Sequence, residues 1–106
     1  MDEPAPFEPR DLVWFELGEK QRWAIVLEVD AANRRAIVIH GTSVERAFDC
    51  VRVEHRTRDG QALMLSCTTY FYPSNVTPAK FEELSPRGRR CPIALFVRLK
   101  ALAGIA

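Results

Sequence analysis

The chain of 106 residues has no apolar run of the roughly 18 residues that a membrane-spanning helix requires. Its N-terminus also lacks a basic stretch followed by an apolar one, which is the pattern of a secretory signal. Apolar residues make up 47% of the chain and charged residues 27%, as in an ordinary soluble globular protein. We therefore expect a cytoplasmic protein.

Cysteine is scarce, and the three cysteines, Cys50, Cys67 and Cys91, are widely spaced. Their number is odd and no Cys-x-x-Cys motif occurs, which argues against a zinc ribbon and against a secreted disulfide framework. We expect reduced cysteines that act mostly as small buried hydrophobic residues. The sequence also lacks a glycine-rich phosphate loop, a Ser/His/Asp order and a cluster of metal ligands. We predict no cofactor and no metal.

Acidic residues are less frequent in the later part of the chain. Residues 1–30 contain eight acids and three bases, a balance of −5, whereas residues 31–106 contain six acids and twelve bases, a balance of +6. This asymmetry predicts a basic surface on the later strands, suited to nucleic acid or to an acidic partner. A mixed, solvated surface is an equally good interpretation.

Short apolar stretches separated by polar turns predict a single domain rich in β-strands. The strands predicted in the first half are Asp11–Leu17, Arg22–Val29 and Ala36–His40. After Arg22 the second strand has a continuous apolar run, which is typical of a strand buried on both faces. We expect residues 1–10 to form a flexible leader and residues 11–106 to form the domain.

Turn residues divide the second half of the chain in the same way. Asp59-Gly60 is typical of a two-residue hairpin turn. It predicts that a strand at Val51–Arg56 pairs with a strand at Ala62–Leu65. Strand-forming residues predict one more strand at Thr68–Tyr72.

Proline and capping residues predict helices in the last third of the chain. Ser74 or Thr77 is expected to cap a short helix that runs to Glu83. Pro86–Arg90 predicts a break. A final helix is predicted at Ile93–Ala103, because a proline precedes it and a glycine follows it.

Many short strands with tight turns favour a small barrel or a curled sheet, because closing a sheet removes its exposed edges. We therefore predict a mainly β fold: a small β-barrel of five to seven strands with a C-terminal α-helix. Strand alternation and the inward stripe of the last helix predict a core of Val13, Ile25, Leu27, Ile37, Ile39, Leu63, Leu65, Phe96 and Leu99.

Four stretches, taken in order, are informative together: Asp11–Trp14, Arg22–Leu27, Ile39–Ser43 and Thr69–Tyr72. They resemble the strands of the MazF/PemK toxin family of prokaryotic toxin–antitoxin systems, in a divergent branch. The second stretch is similar to that family's Arg-Pro-Ala-Val-Val-Leu strand, and the third to its strand ending in Thr-Thr or Thr-Ser. The resemblance implies an SH3-like barrel, usually dimeric, and in many members a sequence-specific endoribonuclease.

The same resemblance assigns the family's active-site arginine to Arg22 and its active-site threonine to Thr42. In RNA cleavage of this type the ribose 2′-oxygen attacks the adjacent phosphate, and a guanidinium suits the charge that grows on the phosphoryl oxygens. Neither side chain is a good general base. His40 is a candidate for proton transfer, because histidine titrates near neutrality and His40 shares a strand face with Thr42. The other interpretations are that His40 is a structural histidine at the rim or in the core, and that Arg22 is a solvated residue at the end of its strand.

Four further residues are candidates for RNA binding: Ser43, Tyr70, Tyr72 and Arg52. The tyrosine rings suit stacking on unpaired bases. The other interpretation is that Tyr70 and Phe71 simply divide between the rim and the core of the fold. Arg52 is expected to share a face with Glu54, which favours a mixed solvated surface at that position.

Two functions are consistent with these residues. The first is an endoribonuclease toxin of a type II toxin–antitoxin system that cleaves single-stranded RNA without metal. Its expected partners are single-stranded RNA, a cognate antitoxin protein and a second copy of the chain in a homodimer. The second is a non-catalytic SH3-like interaction module that binds a protein partner or nucleic acid.

Overall fold

The structure, a computed structural model, describes residues 5–105. Within this range the strands and α-helices follow in the order β1 (Asp11–Leu17), β2 (Lys20–Asp30), β3 (Arg35–His40), β4 (Val51–Val53), α1 (Arg58–Ala62), β5 (Thr69–Phe71), β6 (Val76–Lys80), β7 (Leu84–Arg90) and α2 (Ile93–Leu102). Single 3₁₀ turns at Pro73–Asn75 and Phe81–Glu83 precede β6 and β7. The predicted mainly β fold, with five to seven strands and a C-terminal helix, is confirmed.

The strands form two antiparallel sheets. One has five strands in the order β6-β3-β2-β1-β7, and the other consists of β4 and β5. Thr42 and Tyr70 join them, because each N–H donates to the other's carbonyl oxygen, over 2.9 Å from Thr42 and 2.7 Å from Tyr70. Among the described residues the larger sheet ends at β6 and β7, so its strand pairing does not close into a barrel.

The central strand β2 is buried on both faces, as its continuous apolar run predicted. Ile25 and Leu27 point into a core that β4, β5 and α2 share. Ala24 and Val26 point into a second core on the opposite face, which β1, β3 and β6 share. Successive side chains of a strand alternate between faces, so an unbroken apolar run supplies both cores.

Most of the predicted core is confirmed, since these residues are buried: Val13, Ile25, Leu27, Ile39, Leu63, Phe96 and Leu99. Ile37 and Leu65 are half-buried instead. The second core also contains Phe7, which packs edge-on against Phe81 with ring centroids 5.9 Å apart. The expected leader of residues 1–10 is therefore packed on the sheet at Phe7, whereas residues 1–4 lie outside the described range.

The predicted hairpin at Asp59-Gly60 is wrong, because both residues lie in α1. The Thr57 hydroxyl caps this helix by accepting the Gly60 N–H at 3.1 Å. Gly60 is buried against the carbonyl of Glu54, where a Cβ would overlap it. β4 therefore pairs with β5, and the predicted partner strand Ala62–Leu65 is the end of α1 and the turn after it.

The continuous helix predicted to end at Glu83 is also wrong, because only single 3₁₀ turns form at Pro73–Asn75 and Phe81–Glu83. Val76–Lys80 is the edge strand β6, and Thr77 lies inside it rather than at a helix cap. The predicted break at Pro86–Arg90 belongs to β7, the opposite edge strand. An edge strand has one unpaired side, so a proline in it need not remove a hydrogen bond of the ladder.

Helix α2 confirms the predicted final helix to within one residue. It packs Leu95, Phe96 and Leu99 against the first core and leaves Ile93 and Val97 exposed on its outer side. No helix in residues 5–105 is long and apolar enough to cross a membrane.

We expect Leu63→Ala to lower the free energy of unfolding by about 2–5 kcal/mol, because the side chain is fully buried in the first core and its removal leaves a cavity. Met64→Ala is the matched control, since the neighbouring Met64 is 43% exposed. Equilibrium unfolding in urea measures both variants. Equal losses would contradict the packing of Leu63.

Candidate functional site

Strand pairing places three of the predicted site residues side by side. Thr42 pairs with Tyr70 at the junction of the two sheets, and Tyr70 pairs with Arg52 on β4. Paired residues of antiparallel strands point to the same face. The Tyr70 phenol, and then the Glu54 carboxylate, raise the pKa of Arg52. The ion pair between Arg52 and Glu54 measures 2.7 Å, which confirms that these two residues share a face.

Arg22 extends this line of side chains onto β2. Ala24 pairs with His40 at the end of the β2–β3 ladder. Arg22 and Thr42 each lie two residues beyond that pair, outside the ladder, and continued alternation along each strand predicts that both lie on the face of His40. We call the resulting set the Arg22 row, and its members are Arg22, Thr42, Tyr70 and Arg52.

His40 lies beside the Arg22 row and is half-buried. Burial lowers the pKa of its imidazole below the ordinary 6.5, and the positive charge of Arg22 lowers it further. Its buried Nδ1 has no hydrogen-bond partner among the described residues. The imidazole is therefore uncharged at neutral pH, which is the form that can accept a proton.

Thr42 is half-buried, and its hydroxyl has one local hydrogen bond. The oxygen accepts the Val44 N–H at 3.2 Å, which stabilises the turn where the chain leaves β3. The hydroxyl proton is still available to donate, because a hydroxyl both accepts and donates. Ser43 follows Thr42 and is exposed.

The two tyrosines predicted to bind RNA have different environments. Their rings stack with centroids 6.5 Å apart, and Tyr72 is only 1% exposed. The Tyr72 hydroxyl donates to the Val44 carbonyl at 3.2 Å and accepts the Arg46 N–H. Burial therefore leaves Tyr72 without an open ring face for a base in this conformation. Tyr70 lies over it and is half-buried.

A cavity of about 190 Å³ opens at the β2 end of the Arg22 row, lined by Trp14, Gln21, Arg22, Trp23 and Gly41. Trp14 and Trp23 are paired residues of β1 and β2, on the face opposite to the Arg22 side chain. Arg22 has no ion pair among the described residues. Its charge is therefore not neutralised by a carboxylate and remains available to an anion.

Arg87 was not among the predicted site residues, because it lies in the segment predicted to be a break. Its guanidinium lies 4.5 Å from the Trp14 ring centroid and 5.7 Å from that of Trp23. Burial, and then the charge of Arg89, lower the pKa of Arg87. Its Nη1 is buried without a hydrogen-bond partner among residues 5–105. Arg87 could have been noticed as a basic residue within a strand, but only if the segment Leu84–Arg90 had been recognised as β7.

The cysteines differ from one another in burial. Cys91 is buried as expected, Cys50 is half-buried and Cys67 is exposed, and all three are free thiols. Burial, and to a smaller extent Asp59, raise the pKa of Cys91 to about 12, so this thiol stays protonated. In the described part of the chain no three His, Cys, Asp or Glu side chains form a group suited to a metal ion.

No protein-family model matches the chain, and a search of curated proteins finds no match. The roles assigned to these side chains therefore depend on the Arg22 row, on His40 beside it and on the resemblance of the strands to the MazF/PemK family.

We expect Gly41→Ala to destabilise the junction of the two sheets, because the new Cβ would overlap the Thr69 methyl group and approach the Phe71 ring. Overpacking of this kind costs about 1–3 kcal/mol. Thr69→Ser removes that methyl group and keeps the hydroxyl that donates to the Cys67 carbonyl. The double variant should therefore recover part of the loss in urea unfolding. If the effects of the two substitutions on the free energy of unfolding simply added, the contact between residues 41 and 69 would be contradicted.

We expect Arg22→Gln to raise the pKa of His40, because it removes one of the two causes that lower it. The pKa should remain below 6.5, since the larger cause is burial. Arg22→Lys is the control, because it keeps a positive charge near the ring. An NMR titration of the imidazole protons measures all three proteins. An unchanged pKa in Arg22→Gln would show that the two side chains are not neighbours.

Proposed function

We propose that this protein is a metal-independent endoribonuclease that cleaves single-stranded RNA. The observation that carries the proposal is the Arg22 row with His40 beside it. It combines a guanidinium without a carboxylate partner, a hydroxyl and an uncharged imidazole on one face of the sheet. Phosphoryl transfer to a 2′-oxygen uses each of these groups.

The proposed reaction begins with the ribose 2′-hydroxyl. His40 accepts its proton while the 2′-oxygen forms a bond to the adjacent phosphorus. Arg22 donates two hydrogen bonds to the phosphoryl oxygens, on which negative charge grows. The Thr42 hydroxyl donates a hydrogen bond to one of these oxygens. The bond to the 5′-oxygen then breaks, that oxygen takes a proton from water, and the hydroxide left behind recovers the proton held by His40. The products are a cyclic phosphate and a free 5′-hydroxyl.

The remaining members of the row suit binding of the RNA on either side of the cleaved bond. Tyr70 has part of its ring at the surface, and base stacking on an aromatic ring contributes about 1–3 kcal/mol per base. Arg52 and the exposed Ser43 supply donors for phosphate oxygens. Tyr72 contributes indirectly, because it supports the Tyr70 ring and the loop after Thr42.

The wider biological role proposed here is that of a type II toxin in the cytoplasm, neutralised by a cognate antitoxin protein and active as a homodimer. The support is the resemblance to the MazF/PemK family, whose members have an SH3-like barrel. Large apolar side chains at the surface are consistent with protein partners, and these are Val44, Phe48, Ile93 and Val97.

A second candidate function is a non-catalytic SH3-like interaction module. The observation that favours it is local: the Thr42 hydroxyl already accepts the Val44 N–H, and the Tyr72 hydroxyl holds the same loop. In this function the two residues shape a binding loop instead of contacting a reacting phosphate.

We expect Arg22→Ala to lower the rate of RNA cleavage by about 10²–10³, because it removes donors aimed at a developing oxyanion. Arg22→Lys should restore little, since a point charge does not reproduce a two-pronged contact. Thr42→Ala should lower the rate of RNA cleavage less than Arg22→Ala does. Each variant is incubated with a mixed single-stranded RNA, new ends are mapped, and the thermal midpoint is recorded.

Arg98→Ala is the matched control, because Arg98 is an exposed arginine on α2. It should cleave RNA like the unmutated protein. Full activity in Arg22→Ala, or no cleavage by the unmutated protein of any RNA in the mixture, would exclude the nuclease and leave the interaction module.

A further inference from the structure

A second group of side chains lies across β1, β2 and β7, on the sheet face opposite to the Arg22 side chain. Trp14 on β1 pairs with Trp23 on β2 and with Ser85 on β7. Paired residues of antiparallel strands point to the same face. The guanidinium of Arg87, two residues after Ser85, lies 4.5 Å from the Trp14 ring centroid and 5.7 Å from that of Trp23. We call Trp14, Trp23 and Arg87 the Trp14 cluster.

A bulge in β7 accompanies this position of Arg87. Between two consecutive pairs with β1, β7 contains the three residues 87–89 opposite the single residue Leu12. One of the three is Gly88, whose φ of 75° lies in the left-handed region that favours glycine. Bulges commonly re-aim a side chain. Arg87 therefore reaches rings on two strands, and its place over them is set by the backbone as well as by the attraction between a cation and an aromatic ring.

The positive charge of Arg87 is not neutralised within the described part of the chain. Arg87 makes no ion pair there, and its buried Nη1 has no hydrogen-bond acceptor. Burial, and then the charge of Arg89, lower its pKa, although an arginine remains charged at neutral pH. Alternation places the carboxylate of Glu16 on the same face as Trp14, but Glu16 is exposed and forms no ion pair with these arginines. The cluster therefore attracts an anionic ligand.

The cavity beside the two indole rings has room for one planar group. Its volume is about 190 Å³, below the range of about 300–1,000 Å³ that is usual for sites of whole small molecules. Trp14 and Trp23 line it together with Gln21, which alternation places on the face of Trp23. Trp23 is half-buried and packs edge-on against Phe71, with ring centroids 6.0 Å apart, so its ring is fixed. Trp14 is 36% exposed and can contact a ligand from solvent.

An unpaired nucleobase is the ligand that uses both the rings and the charge. Its planar ring stacks on aromatic side chains, and the phosphates that flank it are attracted by arginine. A planar ligand without charge would leave Arg87 without an anion, and a carboxylate alone would leave the space beside the rings empty. The exposed Arg89 adds a second positive charge near Arg87.

We propose that the cavity of the Trp14 cluster holds one unpaired base of a single-stranded nucleic acid, with the base against the indole rings and a flanking phosphate near Arg87. The inference rests on the proposed function only for the class of ligand. It adds a binding site on the face opposite to the Arg22 row. Because stacking involves the base, this site needs no ribose 2′-hydroxyl, whereas the proposed cleavage does.

The first test uses the fluorescence of the full chain, because Trp14 and Trp23 are its only tryptophans. The probe is an oligodeoxythymidylate of about eight nucleotides, within the site sizes of single-strand binders. It lacks the 2′-hydroxyl and is therefore not a substrate of the proposed reaction. Titration should quench the tryptophan fluorescence, and an abasic deoxyribose-phosphate chain of the same length should not. Absence of quenching by the oligodeoxythymidylate, or equal quenching by the abasic chain, would overturn the proposal.

The second test locates the base with variants, and the anisotropy of an end-labelled oligodeoxythymidylate measures their binding. Trp14→Leu should weaken binding by about 5-fold to 150-fold, which corresponds to about 1–3 kcal/mol for one stacked base. Trp14→Phe should restore most of this loss, because it keeps an aromatic ring. Phe48→Leu is the matched control, since Phe48 is 73% exposed and lies in the loop between β3 and β4. It should bind like the unmutated protein, and an equal loss there would contradict the assignment to Trp14.

These outcomes separate the base site from the proposed nuclease. Quenching together with weakened binding by Trp14→Leu supports the base site even if the protein cleaves no RNA. Cleavage of RNA together with unchanged binding by Trp14→Leu would overturn the base site and leave the nuclease. The fluorescence titration needs no substitution, so it decides the question if Trp14→Leu unfolds.

Discussion

The two hydrogen bonds between Thr42 and Tyr70 are the contact on which the candidate site depends. They attach the two-stranded sheet to the end of β3, and this attachment places Tyr70 and Arg52 beside Thr42. Gly41 makes the junction sterically feasible, because any Cβ at this position would overlap the Thr69 methyl group. The site is therefore a property of the junction between sheets, and no single strand contains it.

Uncompensated positive charge is the second feature that organises the molecule. Arg22 lies near His40 and lowers its pKa, although both groups would be more stable near a carboxylate. At the far end of β3 the situation differs, because Arg35 lies between Lys80 on β6 and Asp30 on β2. Hydrogen bonds in the turn after Asp30, and to a smaller extent the charge of Arg35, lower the pKa of the Asp30 carboxyl. A cation without a carboxylate neighbour costs stability, so of these two ends the Arg22 end is the one where an anion is expected to bind.

Prediction from sequence succeeded where hydrophobic pattern alone decides structure. The apolar run of β2, the strands on either side of it and α2 lie close to their predicted positions. It failed where local signals compete. Asp59-Gly60 satisfies a hairpin turn, yet Thr57 caps a helix there and Gly60 packs against the backbone at Glu54. The proline of β6 indicated a helix start and that of β7 a break, because an edge strand can be recognised only after its neighbours are known.

The sequence by itself determined the mainly β class and half of the first core, and it predicted a shared face for His40 and Thr42, because alternation along a strand is a local property. Only the tertiary structure decided which strands pair, and hence that Tyr70 and Arg52 lie beside Thr42. It also buried Tyr72, stacked Arg87 over Trp14 and brought Lys80 opposite Arg35. These contacts join residues far apart in the chain, and they depend on strand register and packing, which no local pattern encodes.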